Sequence, residues 1–313
     1  MCAGLFTTIT QGLEMKPILA FLAFALFATE SFAADGMRPL IDSRWLAVHA
    51  AEPGIVIIDT RSHIPGAVHT DYGRDGWRVT DANGTPGMFP SDATGLGALA
   101  DRIGEMGIDN DSHIVLVPRG RDEIDLGVAT RIYWTFKVLG HDKVSILNGG
   151  MMAYLEEASR PLTRDLTPSN LRTFDVALRS DMLLQEAEVK QAMVRDHTLI
   201  DARPVSQFQG RTKSGAVTRP GTIPGARSLP AENLTRPQSG AFQSATALDR
   251  LFVSAGVGKT NAPILFCNTG HWASVNWFVA SELLGMKDAR LYDGSMAEWT
   301  ADSTNSVVAE AVD

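Results

Sequence analysis

Cysteine is scarce in this chain, with two in 313 residues, Cys2 and Cys267. Cys2 lies in a leading segment expected to be cut away, which leaves one thiol. A single thiol excludes an intramolecular disulfide framework and two-cysteine redox exchange within one chain. Cysteine-rich zinc sites are excluded as well. The seven histidines form no His-Glu-x-x-His pair, so no metal site and no cofactor is expected. Positive charge is also in deficit, the formal net charge being −8, which argues against nucleic acid or an anionic membrane as partner. The same balance gives no general help in holding a small anion, so an anion site must create its own local positive potential. Long apolar runs are missing too. The N-terminal run, residues 18–28, falls short of the roughly 20 residues a membrane span needs.

That run follows Lys16 and is followed by Ser31-Phe32-Ala33, with small residues at both cleavage-defining positions. Residues 1–33 read as a secretory signal peptide cut after Ala33, with Met15 as an alternative start. The competing reading is an N-terminal helix packed in the fold. Export implies a periplasmic or secreted protein, where an unpaired thiol calls for a functional explanation. The remainder is long enough for two domains of ordinary size, and 44% hydrophobic residues is the composition of a globular protein.

The chain repeats itself. Val56-Ile-Ile-Asp59-Thr-Arg61 matches Thr198-Leu-Ile-Asp201-Ala-Arg203, and Ile64-Pro-Gly-Ala67 matches Ile223-Pro-Gly-Ala226. His113-Ile-Val-Leu-Val117 then matches Pro263-Ile-Leu-Phe266, and Val144-Ser-Ile-Leu-Asn148-Gly-Gly150 matches Ala289-Arg-Leu-Tyr-Asp293-Gly-Ser295. Four matches in one order indicate an internal duplication. Between the last two strands of each half, apolar residues recur every fourth position. They are Val128, Ile132 and Phe136 before Gly140, and Val275, Val279 and Leu283 before Gly285. This is the pattern of an amphipathic helix with a glycine stop. Strands alternating with helices predict two α/β domains, each a parallel sheet flanked by helices. The expected boundaries are 34–160, a linker at 161–180 carrying Pro161 and Pro168, and 181–313.

Cys267 falls where the strand Ile264-Leu-Phe266 gives way to helical pattern from Ala273. Free backbone N–H groups at a helix N-terminus stabilise an anion, and a thiolate is one. The loop from Cys267 to Trp272 can curl its N–H groups toward the sulfur, with Gly270 supplying a positive φ. The pattern therefore predicts a nucleophilic cysteine, against the alternative of a packed core cysteine.

Asp-x-Arg, Ile-Pro-Gly-Ala, Cys267-x-x-Gly270 and Tyr292-Asp-Gly-Ser295 ahead of Glu298-Trp299 occur together and in order. In this the chain resembles the rhodanese superfamily, specifically the tandem-domain sulfurtransferases, over nearly its whole mature length. The resemblance implies two rhodanese-like domains. It also implies sulfane-sulfur transfer through a persulfide on Cys267, from a small-molecule donor to cyanide, another thiol or a protein acceptor. The first domain departs from the pattern, since Val117 is followed by Pro118-Arg-Gly-Arg-Asp122 without cysteine. It is expected to be inactive and to serve structure and the pocket.

The candidate donor-binding residues are Arg203, Arg211, Asn268, Thr269, Gly270, His271 and Trp272, with Lys213 on the same excursion as Arg211. Arg203 either forks onto a donor oxyanion or binds Asp201 within the framework. Arg211 and Lys213 rim the pocket or lie in a solvated loop. His271 tunes the thiolate, touches the donor, or is a plain loop histidine, and Trp272 walls the pocket or seats the loop. Arg119 and Arg121 face the second domain or solvent. Asp293, Ser295 and Trp299 are expected to shape the turn behind the loop.

Thiosulfate is the expected donor, since sulfur-oxyanion chemistry suits an exported protein. 3-Mercaptopyruvate is the alternative, toward which Thr269 leans while Asn268 fits neither pattern. A noncatalytic persulfide carrier is a third reading. A phosphatase of this fold would need an arginine where Ala273 stands, so no group could clamp a transferring phosphoryl.

Overall fold

The apolar runs of each half pair side by side into a parallel sheet. The computed structural model describes Met1 and residues 37–60, 64–157, 159–163, 165, 167–195, 197–258 and 262–309. The expected signal segment from residue 2 onward, and Arg61 of the first Asp-x-Arg, lie outside the described residues. The first half contains β1 (Leu40–Ile41), β2 (Ile55–Asp59), β3 (Val68–His69), β4 (Val79–Thr80), β5 (Pro86–Met88), β6 (His113–Val117) and β7 (Val144–Leu147). The second contains β8 (Leu183–Leu184), β9 (Leu199–Asp201), β10 (Arg227–Ser228), β11 (Ile264–Phe266) and β12 (Arg290–Tyr292). The helices are α1 (Ser43–His49), α2 (Ala93–Glu105), α3 (Glu123–Val138), α4 (Gly150–Leu155), α5 (Glu186–Val194), α6 (Val205–Phe208), α7 (Ala245–Ser254), α8 (His271–Phe278) and α9 (Ser295–Ala301).

The two sheets share one topology. The first runs β1-β7-β6-β2-β3 and the second β8-β12-β11-β9-β10, parallel throughout. Ile57 pairs with Val115 in the first, and Leu265 with Ile200 and Leu291 in the second. Near-continuous apolar strands follow from burial on both faces, and Ile58, Ile114, Val115, Ile200 and Leu265 are fully buried. The duplication is thus structural as well as sequential. In the first half an antiparallel hairpin, β4–β5, is added outside the sheet.

Helix α3 departs from the amphipathic pattern. Val128, Ile132 and Phe136 predict one apolar stripe, yet Thr130, Arg131, Tyr133 and Thr135 are buried as well. The second buried face lies against α8 of the other domain. There Thr130 Oγ1 lies 2.8 Å from Ser274 Oγ, and the Tyr133 ring meets Phe278 edge-on with centroids 4.9 Å apart. Tyr133 also donates to Glu282 Oε2 at 2.8 Å. Helix α8 begins at His271, two residues ahead of the expected Ala273, and passes into a π-type turn over Val279–Leu283. Residues 167–179, ahead of β8, are irregular but packed, with Arg172 N and Ala177 N donating to Gly104 O and Leu139 O at 3.0 Å. Phe174 there is buried against Phe136.

Candidate active site

Cys267 directly follows β11, is 1% exposed, and opens a loop that ends at the N-terminus of α8. Gly270 caps that helix with φ +74°. A Cβ at Gly270 would press into Arg131 and lie 2.7 Å from Asp293 Oδ1, so glycine is required by space as well as by backbone conformation. Ser295 fixes the loop's curl. Its Oγ accepts from Cys267 N at 3.1 Å and from Gly270 N at 3.2 Å, and donates to Tyr292 O at 2.9 Å. Ser295 holds φ +51°, a left-handed conformation uncommon for a residue with a side chain. Met296 N and Ala297 N donate to Cys267 O and Asn268 O, so α9 pins the loop from behind. Among the described residues, no hydrogen bond engages the N–H groups of Asn268, Thr269, His271, Trp272 and Ala273.

The first domain reaches this loop at several points. Arg131 on α3 is fully buried and forms a close ion pair with Asp293. It donates to Gly87 O at 3.3 Å and lies 4.6 Å over the Trp134 ring. Burial opposes its charge, but Asp293, with Tyr72 and the Cys267 thiol in electrostatic reach, raises its pKa above the usual arginine value. The other Asp293 oxygen accepts from Phe89 N at 2.5 Å. Arg78, next to the β4–β5 hairpin, donates to Thr269 Oγ1 at 3.0 Å and reaches Thr269 O at 3.4 Å. Its guanidinium lies 5.3 Å from the centre of the Tyr72 ring.

His271 is held by the first domain on both ring nitrogens. Nε2 lies 3.0 Å from Ile124 O and Nδ1 3.0 Å from the Tyr72 hydroxyl. A carbonyl only accepts, so Nε2 carries the proton and Nδ1 accepts from Tyr72. Burial, aided by the Arg78 charge, lowers the His271 pKa to about 4, which keeps the ring neutral at neutral pH. Burial raises the Tyr72 pKa, keeping the hydroxyl protonated.

A Rhodanese-like domain family model matches residues 35–157 and 185–302. The chain belongs to this family. The sulfur carrier protein TtuD of Thermus thermophilus is 29% identical over 283 residues, covering 83% of this chain and 93% of that protein. The putative thiosulfate sulfurtransferase SseA of Mycobacterium leprae is 31% identical over 276 residues, covering 83% and 87%. The 3-mercaptopyruvate sulfurtransferase of Escherichia coli is 29% identical over 287 residues, covering 83% and 94%. The crystal structure of SseA from Escherichia coli superposes with a TM-score of 0.70 at 28% identity, covering 83% of this chain and 99% of that one. The protein is a two-domain rhodanese-family sulfurtransferase.

The sequence-predicted site residues make contacts within that frame that local pattern did not show. Arg203 takes the framework contact with Asp201 foreseen as one of its two alternatives, and its Nη1 has no hydrogen-bond partner among the described residues. It is fully buried and forks onto Asp201, with Nε at 2.9 Å from Oδ1 and Nη2 donating to Gly221 O at 2.8 Å. Asp201 also accepts from Thr222 Oγ1 at 2.8 Å, so the Asp-x-Arg pair of this rhodanese domain is framework. His271 is neither a free loop residue nor a thiolate partner, because both nitrogens are engaged across the interface. Asn268 Nδ2 donates to Gln207 Oε1 on α6 at 2.9 Å, and Thr269 receives Arg78. Trp272 is half-buried and packs against the core, seating the loop. Arg211 and Lys213 are exposed on the neighbouring loop, where Lys213 donates to Val217 O at 2.8 Å. Arg119 and Arg121 are exposed, Arg121 pairing with Asp125, while Gly120 O between them accepts from Gly240 N at 2.9 Å. Asp293 does more than shape a turn, since it links both domains. Tyr72, Arg78 and Arg131 carried no motif and were not singled out in the sequence.

Proposed function

We propose that this sulfurtransferase moves a sulfane sulfur from thiosulfate to a thiophilic acceptor such as cyanide or a thiol, through a persulfide on Cys267. The observation that carries this reading is the loop itself. One thiol stands at the head of a curl in which the N–H groups of Asn268, Thr269, His271, Trp272 and Ala273 meet no hydrogen-bond partner among the described residues, and those donors suit an anionic sulfur. In the first step the Cys267 thiolate attacks the outer sulfur of thiosulfate. A new S–S bond forms, the donor S–S bond breaks, and its electron pair leaves on sulfite. In the second step the acceptor attacks the terminal sulfur, the enzyme S–S bond breaks, and the thiolate returns. With cyanide the product is thiocyanate. The two steps balance without an external oxidant or reductant and call for no metal or cofactor. The cysteine-less first domain acts through its contacts with the loop.

Thr269 supports 3-mercaptopyruvate as the second reading, and the likeness to the Escherichia coli mercaptopyruvate enzyme points the same way. A protein acceptor fits the likeness to a sulfur carrier protein. The signal-like residues 1–33 support export to the periplasm or medium. Mass spectrometry after thiosulfate should show about +32 Da on the Cys267 peptide, removed by cyanide, the gain expected for a nucleophilic thiolate that takes one sulfur. Cys267→Ser should lose transfer and keep its fold. Steady-state kcat/KM for the two donors side by side decides between them. Labelling away from Cys267, or near wild-type turnover by Cys267→Ser, would overturn the reading.

A further inference from the structure

The duplication supplies an internal control for the thiol loop. Met151 N and Met152 N donate to Pro118 O and Arg119 O, as Met296 N and Ala297 N do to Cys267 O and Asn268 O. Pro118 thus stands in the first half where Cys267 stands in the second. Each loop is clasped by the other domain in the same way. Phe89 N donates to Asp293 Oδ2 at 2.5 Å, and Phe242 N donates to Asn148 Oδ1 at 2.9 Å. Gly87 packs on Thr269 and Gly240 on Gly120, so closely that a Cβ at either would come within 3.0 Å of the opposing loop.

The clasp needs only an acceptor oxygen, and where there is no thiol a neutral asparagine provides it. On the thiol side the acceptor is an aspartate, and the aspartate is paired with Arg131. Helix α8 and its π-type turn, the counterpart of α3, carry no arginine or lysine over residues 271–283. Desolvation offsets the attraction within a buried ion pair, so stability alone does not account for one. The pair is surplus to the clasp and is confined to the half that bears the cysteine. Arg131 also touches the loop, where the missing side chain of Gly270 leaves room for its guanidinium. Its Nε is buried with no hydrogen-bond partner among the described residues, and Cys267 lies within its electrostatic reach.

We infer that Arg131 and Asp293 are positioning residues for the sulfur chemistry. The first domain's buried cation, seated at Gly270, stabilises the ionised sulfur on Cys267, and Asp293 limits how much of that charge the sulfur meets. Among the described residues the neighbouring cations are engaged elsewhere, Arg203 with Asp201 and Arg78 with Tyr72 and Thr269. Burial keeps Tyr72 and Tyr292 protonated and His271 neutral near pH 7, and raises the Glu298 carboxyl beside Asp293. The purpose of the pair rests on the persulfide reading, but its effect is measurable on the thiol alone.

The test compares wild type, Asp293→Asn and the double variant Arg131→Met/Asp293→Asn. Alkylation by uncharged iodoacetamide is timed across a pH series, and sulfur loading from thiosulfate is followed by mass spectrometry. Asp293→Asn copies Asn148: it keeps an acceptor for Phe89 N and leaves the guanidinium without its counter-charge. The midpoint of its alkylation profile should fall by about one pH unit or more, as for a thiol beside an unpaired cation. The double variant copies the thiol-less half. It should melt close to wild type, yet its midpoint should lie above wild type and its loading rate at neutral pH should drop several-fold. Equal midpoints in wild type and the double variant would overturn the inference, whatever the loading rate. A double variant that melts as far below wild type as Arg131→Met alone would also overturn it, since the pair would then serve the interface. The double variant decides even where Asp293→Asn is too unstable to assay. Midpoints that shift as expected in a protein that takes no sulfur from thiosulfate would refute the persulfide reading and uphold this one.

Discussion

Adding one methyl group at Gly127 should change sign in its effect according to the residue at position 271. Gly127 lies within α3, where alanine ordinarily stabilises by about 1 kcal/mol. Here an added Cβ would come 2.5 Å from His271 Nε2, 2.8 Å from Cδ2 and 2.9 Å from Cε1. The ring cannot swing aside freely, since Tyr72 and Ile124 hold its two nitrogens. Overpacking of this kind costs about 1–3 kcal/mol, so Gly127→Ala should be destabilising by about 0–2 kcal/mol after the helix gain. In a His271→Ala background the obstacle is gone, and the same change should stabilise by about 1 kcal/mol. The difference is a coupling energy of about 1–3 kcal/mol. Urea unfolding of the four proteins measures it, with the denaturant slope checked for constancy. If Gly127→Ala stabilises both backgrounds equally, the ring does not occupy the space beside Gly127 and the account of His271 fails.

Two further outcomes follow from the buried interface. Arg131→Met should cost about 3–5 kcal/mol by leaving Asp293 buried without its counter-charge, and adding Asp293→Asn should recover much of that loss; thermal melts showing only the small effect of an exposed arginine would contradict the ion pair. The second outcome concerns pH. His271 has a folded pKa of about 4, below its ordinary 6.5, so between those values the unfolded chain binds more protons and stability falls as pH falls. Wild type should lose more stability than His271→Ala between pH 6.5 and 4, and parallel pH curves would refute the assignment.

Much of each domain was legible in the sequence because a strand buried on both faces must be apolar throughout. Ile55–Asp59, His113–Val117 and Ile264–Phe266 announce themselves in this way. The edge strands Leu40–Ile41 and Leu183–Leu184 are too short for any period to register. The loop of Cys267 was legible through its strand-to-helix position and Gly270. The interface was not. Thr130, Arg131 and Tyr133 are polar or ambivalent, so burial of α3 on its second side leaves no apolar stripe to read. Their partners in the other domain, and those of Tyr72 and Arg78 there, lie more than a hundred residues away, where local pattern carries no information. Arg203 was ambiguous for a related reason: its residue type suits an oxyanion, and the fold shows that it forks onto Asp201, one of the two alternatives.

The hydrogen bonds of Ser295 hold the thiol loop from its own domain, and those of Arg78 to Thr269 reach it from the other. During synthesis the first domain emerges first and folds as a unit, while the loop of Cys267 comes from nearly the end of the chain. The second domain can therefore form its own sheet and still lack half of the supports around its sulfur. The surroundings of the thiol are thus completed by docking of the two domains rather than by secondary structure alone.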